Sequence, residues 1–320
     1  MLRRPGSAGR PRLLALASAL TLGLALSAPP DARAQAPSTD IWLVPVHAPA
    51  KAGEPPRPGA PQKLTDREGY DNQPAFLPGQ GGLLYTSEID GQTDIQRYDL
   101  HQRTRHVVRT TAESEYSPTP IENGHAISVV RIEADGSTQR LWRLALAGDA
   151  KPRLLVPDVQ PVGYHAWVDR ARVLLFVLGE PATLELATLG KAGTRVLAHD
   201  IGRGLARIPG SSRMSFVQKR GQDDWWVTAV DPDDGSLESL IRLPAGQEDF
   251  AWAPDHSLWT GEGGSLLRWQ PGSELRWQEV VDFSAKGIAG ISRLAWRDDG
   301  RMLALVAQRP AEGPPPEAER

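Results

Sequence analysis

The sequence contains no cysteine. Disulfides, thiolate metal sites and a lipidated cysteine at a processing site are therefore excluded. Beyond residue 26 there is no apolar run long enough to span a bilayer, so no stable membrane insertion of the mature chain is expected. No segment carries the apolar period of a long amphipathic helix, which argues against an appended α/β domain. A G-x-S-x-G elbow and an H-x-x-x-H spacing are both missing. Two common routes to hydrolytic or zinc chemistry thus have no sequence support.

What is present begins with a basic segment (Arg3, Arg4, Arg10, Arg12), an apolar run over Leu13 to Leu26, and Ala32-Arg33-Ala34. This is the pattern of a secretory signal peptide over residues 1–34, cleaved after Ala34, and the run falls short of the roughly 20 residues of a membrane anchor. The Ala/Arg/Pro/Gly-rich usage reads as bacterial, so the expected destination is the periplasm or the medium. Removing the signal takes away five Arg and one Asp, leaving 31 basic and 38 acidic side chains, a net charge of −7. An acidic surface repels phosphate backbones, so nucleic acid is not expected as a partner.

The body of the chain is built on an interval. Aligned on Phe76, equivalent positions fall at Pro120, Trp167, Ile208, Trp252 and Trp296, with gaps of 44, 47, 41, 44 and 44 residues. That is the length of one four-stranded propeller blade. Each marker is followed by a polar turn and an apolar strand, such as Val173-Leu174-Leu175-Phe176, and then by two further short strands. Five units are complete, while the sixth has only its first two strands before the Pro/Glu-rich tail at 309–320, which composition marks as disordered. The missing strands are available at the N-terminus, over Asp40 to Val46 and Gln62 to Thr65, on either side of a Pro/Gly-rich loop at 45–61. Pairing the first strands with the last removes exposed sheet edges. The expectation is an all-β, six-bladed propeller of four-stranded antiparallel blades over 35–308, monomeric, its ring closed by strands from both ends.

The founding unit supplies Asn72-Gln73-Pro74-Ala75-Phe76-Leu77-Pro78-Gly79, Leu84-Tyr85-Thr86-Ser87, Gly91 and Thr93-Asp94-Ile95. It resembles the repeat of TolB-like β-propellers, with Gly79-Gln80-Gly81-Gly82 replacing the usual Asp-Gly turn. Weaker copies are Phe250-Ala251-Trp252-Ala253-Pro254-Asp255 and Leu294-Ala295-Trp296-Arg297-Asp298-Asp299-Gly300. The resemblance implies the fold from about Asp40 to Gln308. It leaves function open, because similar blades serve Tol-Pal components, peptidase gating domains and propeller lyases. The Tol-Pal component carries an N-terminal α/β domain, for which no room is left here between the signal site and the first strand.

The 10 Trp lie mostly at repeat-equivalent strand positions, where they are expected to pack between blades; of Trp225 and Trp226, adjacent in one strand, one should face outward. Asp231-Pro232-Asp233-Asp234-Gly235 reads as a turn, since it lacks the ligand order of a calcium loop. No metal site and no cofactor are expected. If strands alternate direction, the loops before first strands and between second and third strands share one face, which collects most acids, while the other collects Arg103, Arg153, Arg170, Arg172 and other bases. The acidic funnel face is the candidate docking surface, through Glu68, Tyr70, Asp71, Glu113, Glu115, Tyr116, Tyr164, His165, Arg203, Arg207, Glu248 and Asp249. Like-signed loops round a concavity favour a basic partner. The expected function is a non-enzymatic scaffold for a protein or peptide. The alternatives are a propeller lyase or hydrolase, or a carbohydrate-binding protein, acting on an exported polymer.

Overall fold

The computed structural model describes residues 37–51 and 54–310, and within them the chain forms six antiparallel sheets. The expected signal peptide over 1–34 and residues 311–320 of the expected tail lie outside the described residues. Blade 1 consists of Asp71–Phe76, Gly82–Ile89, Gln92–Asp99 and Arg105–Val107. Blade 2 follows with Ser114–Ile121, Ala126–Ile132, Gln139–Ala145 and Arg153–Leu154. Blade 3 holds Val162–Trp167, Arg172–Val177, Thr183–Thr188 and Thr194–His199. Blade 4 holds Ile201–Arg207, Met214–Lys219, Trp225–Val230 and Leu237–Arg242. Blade 5 is Ala251–Trp252, Leu258–Glu262, Ser265–Trp269 and Gln278–Asp282. Each marker residue of the repeat ends, or lies next to the end of, an inner strand, and neighbouring inner strands lie side by side round a central axis.

Blade 6 closes the ring. Its inner strands Ala289–Trp296 and Met302–Gln308 are continued by Thr39–His47, which pairs with Met302–Gln308 over seven residues, from Thr39 opposite Gln308 to Pro45 opposite Met302. The outer position is shared by Gln62–Lys63 and Arg57–Pro58, both paired with Thr39–His47. Pro58 is tolerated there because an outer strand leaves one row of backbone groups unpaired. The Pro/Gly-rich stretch 45–61, expected as a loop, therefore contributes its first three residues and Arg57–Pro58 to the sheet. Charge clamps the joint: the buried Asp40 carboxylate lies 3.0 Å from Lys63 Nζ and 3.2 Å from Arg309 Nη1.

The core lies between blades, in six apolar clusters, one for each pair of neighbours. Blade 3 shows why. Val173, Leu175 and Val177 pack toward blade 2 with Val130 and Leu141, while Leu174 and Phe176 pack toward blade 4 with Met214 and Phe216. Side chains alternate between the two faces of a strand, and both faces here are covered, so second strands read as unbroken apolar runs. Nine of the ten Trp join these clusters, with Trp226 the exception. Trp225 and Trp226 are both half-buried, and each has a cation over its ring: Lys219 at 4.5 Å and Arg220 at 4.9 Å. No helix among the described residues is long and apolar enough to cross a membrane.

Candidate functional site

The inner strands converge on a central channel of about 330 Å3. Its wall is written in the repeat: the residue three before each marker is Gln73, Ser117, Tyr164, Leu205, Asp249 or Arg293, and all six line the channel. Five inner strands break register just there, between Asn72 and Ala75, Tyr116 and Thr119, Val162 and Tyr164, Ile201 and Leu205, and Ala289 and Arg293. Such bulges bend a strand and re-aim its side chains, which lets six strands crowd a narrow axis and still present polar groups to it. Gln73 and Ser117 take the left-handed conformation at φ 56° and 54°, each just before a proline. Gln73 Oε1 accepts from Thr86 Oγ1 and from the Ser117 backbone N–H, both at 2.7 Å, tying the bulges of blades 1 and 2 together. At Gly204 a Cβ would sit 2.7 Å from the Glu248 carbonyl oxygen, so blade 4 approaches blade 5 only because this residue is glycine.

At the mouth, where the inner strands begin, the charge is paired across blades. Arg293, 14% exposed, holds its Nε 3.3 Å from Asp249 Oδ2 and its guanidinium 5.1 Å over the Tyr164 ring. Arg203 Nε lies 3.7 Å from Glu248 and 4.0 Å from Asp249, and Lys219 pairs with Glu248. Burial pushes the Asp249 carboxyl up, against the pull of Arg293 and Arg203. Burial works against the charge on Arg293, yet Asp249, with the Tyr164 and Tyr70 hydroxyls, holds its pKa above the ordinary arginine value. The Tyr70 hydroxyl is raised by burial, and Arg293, Tyr164, Arg203 and Tyr116 are the groups whose fields it feels. Three tyrosines and two arginines from different blades thus face one opening.

Apart from His165, the expected site residues divide into four groups. Tyr70, Tyr116, Tyr164, Arg203, Glu248 and Asp249 meet at the mouth. Glu68 is exposed on its rim, and Glu113, half-buried, lies 3.7 Å from Arg131. Asp71 and Glu115 are buried and committed: Asp71 Oδ1 accepts from Arg67 Nη2 and Ser87 Oγ, both at 2.7 Å, and Glu115 Oε1 accepts from Thr111 Oγ1 at 2.6 Å, 2.8 Å from Arg131 Nη2. Arg207 ends its inner strand, at the face opposite the mouth, where its Nη1 donates to the Val168 carbonyl at 2.7 Å. Arg293 was missed. Its signal was available, because it stands three before Trp296 as Asp249 stands three before Trp252.

His165 also lines the channel, 2.7 Å from Ser128 Oγ through its Nε2, an arrangement that looks like a nucleophile and its base. Ser128 is fully buried, however, and already accepts the Trp167 indole N–H at 2.9 Å. The same contact recurs in blades 4 and 5, where the Trp252 indole donates to Ser215 Oγ at 2.9 Å, so Ser128 belongs to a repeated packing device. Trp259 takes the equivalent register in blade 5 and meets Trp296 edge-on at 5.2 Å instead. Burial pushes the His165 imidazole down to about 3, keeping it neutral at physiological pH, and its Nδ1 has no partner. Among the described residues no group of three or more His, Asp or Glu is placed to hold a metal ion.

No protein-family model matches the chain, and no curated protein matches it in sequence. Solved structures do share its fold. A putative TolB from Agrobacterium tumefaciens aligns over 86% of this chain and 99% of its own, at 15% identity and a TM-score of 0.65. TolB from Acinetobacter baumannii aligns over 84% of this chain at 14% identity and a TM-score of 0.54, and this chain spans only 64% of its length. An oligogalacturonate lyase in complex with manganese aligns over 78% of this chain and 80% of its own, at 15% identity and a TM-score of 0.53. The fold is that of the TolB-like propellers, a fold that enzymes also use.

Proposed function

We propose that this TolB-like propeller is an exported, non-enzymatic scaffold that binds a protein or peptide at the mouth of its channel. The observation that carries the reading is the gathering of Tyr70, Tyr116 and Tyr164 round the Arg293–Asp249 pair. Tyrosine and arginine supply large contact area together with hydrogen-bonding ends, the combination found where a partner segment is anchored. Ion pairing inside the mouth neutralises its acids, while Glu68, Asp90, Asp135, Asp200 and Asp223 stay exposed in the loops of the same face. An anionic rim round a pocket of mixed sign favours a basic segment, and a bacterial periplasm fits the signal peptide.

The test is selection of peptides from a random library on the protein. The expected result is enrichment of basic sequences whose binding weakens with salt and is lost in Tyr164→Ser and Glu68→Lys variants. Enrichment of acidic sequences, or binding that survives both substitutions, would refute the reading. An enzyme acting on an exported polymer is the second reading, favoured by one observation, the unpartnered Nδ1 of His165 in the channel. Turnover of oligogalacturonate that disappears in His165→Phe would put that reading first.

A further inference from the structure

On the face opposite the mouth a second cavity of about 670 Å3 opens where blades 2 and 3 meet. Pro120 and Trp167 come from the ends of inner strands, Pro78 from just past the end of another, and Leu189 from just past a third strand. With Leu155 they make its apolar wall. Five charged side chains also line it: Glu122, Asp169, Arg153, Arg170 and Arg207.

The two acids are already satisfied by arginines outside the lining. Glu122 receives Arg143 through both oxygens, at 2.7 and 2.6 Å, and Asp169 receives Arg172 Nε at 2.7 Å together with the backbone N–H groups of Ala171 and Arg172. The three arginines form no ion pair among the described residues. Arg207 is held to the wall by its bond to Val168, and Arg153 meets Glu122 only through the field that helps to lower its carboxyl. A concave apolar wall with uncompensated guanidinium groups converging on it has the composition of a ligand pocket, and its size suits a small organic molecule. Guanidinium forks match carboxylates in shape and charge.

From this we infer that the cavity between blades 2 and 3 binds a small amphipathic carboxylate, its apolar body against Trp167, Leu155 and Leu189 and its carboxylate on Arg153 and Arg170. The site is separate from the mouth and does not depend on the function proposed there. Neither Arg153 nor Arg170 takes part in the fold through any side-chain bond among the described residues, so both can be changed without loss of packing.

The experiment is titration calorimetry of the protein at low salt with 1-naphthylacetate, with 1-naphthylethylammonium as a probe of the same body and opposite charge. The expected result is saturable one-to-one binding of the acetate, none of the ammonium, and a loss of roughly tenfold or more in the Arg153→Gln/Arg170→Gln variant. Circular dichroism checks that the variant keeps its fold. Lack of saturable acetate binding, equal binding of the ammonium probe, or an unchanged affinity in the folded variant would each overturn the inference.

Discussion

Glu115 should make the stability of this propeller fall as pH rises from mild acid to neutrality. Its side chain is fully buried at the start of the inner strand of blade 2, with Oε1 held by Thr111 and Arg131 and Oε2 without a partner. Burial pushes the carboxyl up to about 7 from an ordinary 4.5, against the pull of Thr111 and Arg131, and the nearby Asp94 adds to the rise. Between those two values the folded chain carries a proton that the unfolded chain has released. Stability then decreases with pH across that window and levels off above about 7, because the folded state binds more protons than the unfolded one. A gap of about 2.5 units corresponds to about 3 kcal/mol. Glu115→Gln keeps the shape of the protonated acid and cannot ionise, and Arg131 retains Glu113 at 3.7 Å. Urea unfolding of both proteins from pH 4.5 to 8 should show the glutamine variant gaining on the wild type by about 3 kcal/mol as pH rises. A difference that stays constant, or moves the other way, would mean that Arg131 keeps the carboxylate ionised throughout, and the reasoning would fail.

Two other substitutions test the packing of the ring. Ile41, buried in the cluster between blades 6 and 1, lies in the N-terminal strand that closes the circle. Ile41→Ala should cost about 3 kcal/mol in chemical denaturation, whereas Leu275→Ala, at a position 68% exposed, should cost under about 0.5 kcal/mol; equal effects would mean that closure adds little. Arg293→Met should destabilise by about 3 kcal/mol because it leaves the buried Asp249 with Arg203 4.0 Å away as its nearest cation, and adding Asp249→Asn should recover most of that loss. No recovery in the double variant would show that Arg293 contributes through packing on Tyr164 rather than through charge.

The repeat interval, the unbroken apolar second strands and the half-unit at the C-terminus make the propeller and its manner of closure legible in the sequence. Those features are local: a strand buried on both faces must be apolar throughout, and a blade that cannot bury its own faces must be repeated until the ring closes. The Trp positions were legible for the same reason, since Trp167 and Trp252 recur at one register of one strand and find the same serine partner in the preceding blade. Glu115 and Arg131 are direct cross-strand partners, so their pairing needed only the hairpin register.

The sites were less legible because they depend on how far each blade turns from the last. Asp249 and Arg293 stand one repeat apart, 44 residues along the chain, and touch because neighbouring inner strands meet at the axis. Counting charges along loops gives the mouth face an excess of acids over bases, yet cations from adjacent strands and blades pair with its inner acids, and Arg207 lies at the other face. The sequence by itself determined the blade, its number and its closure, because alternation and period act within one sheet. Only the tertiary structure decided which charges meet between blades, since that follows from the inclination of each sheet to the next, a quantity no single blade encodes.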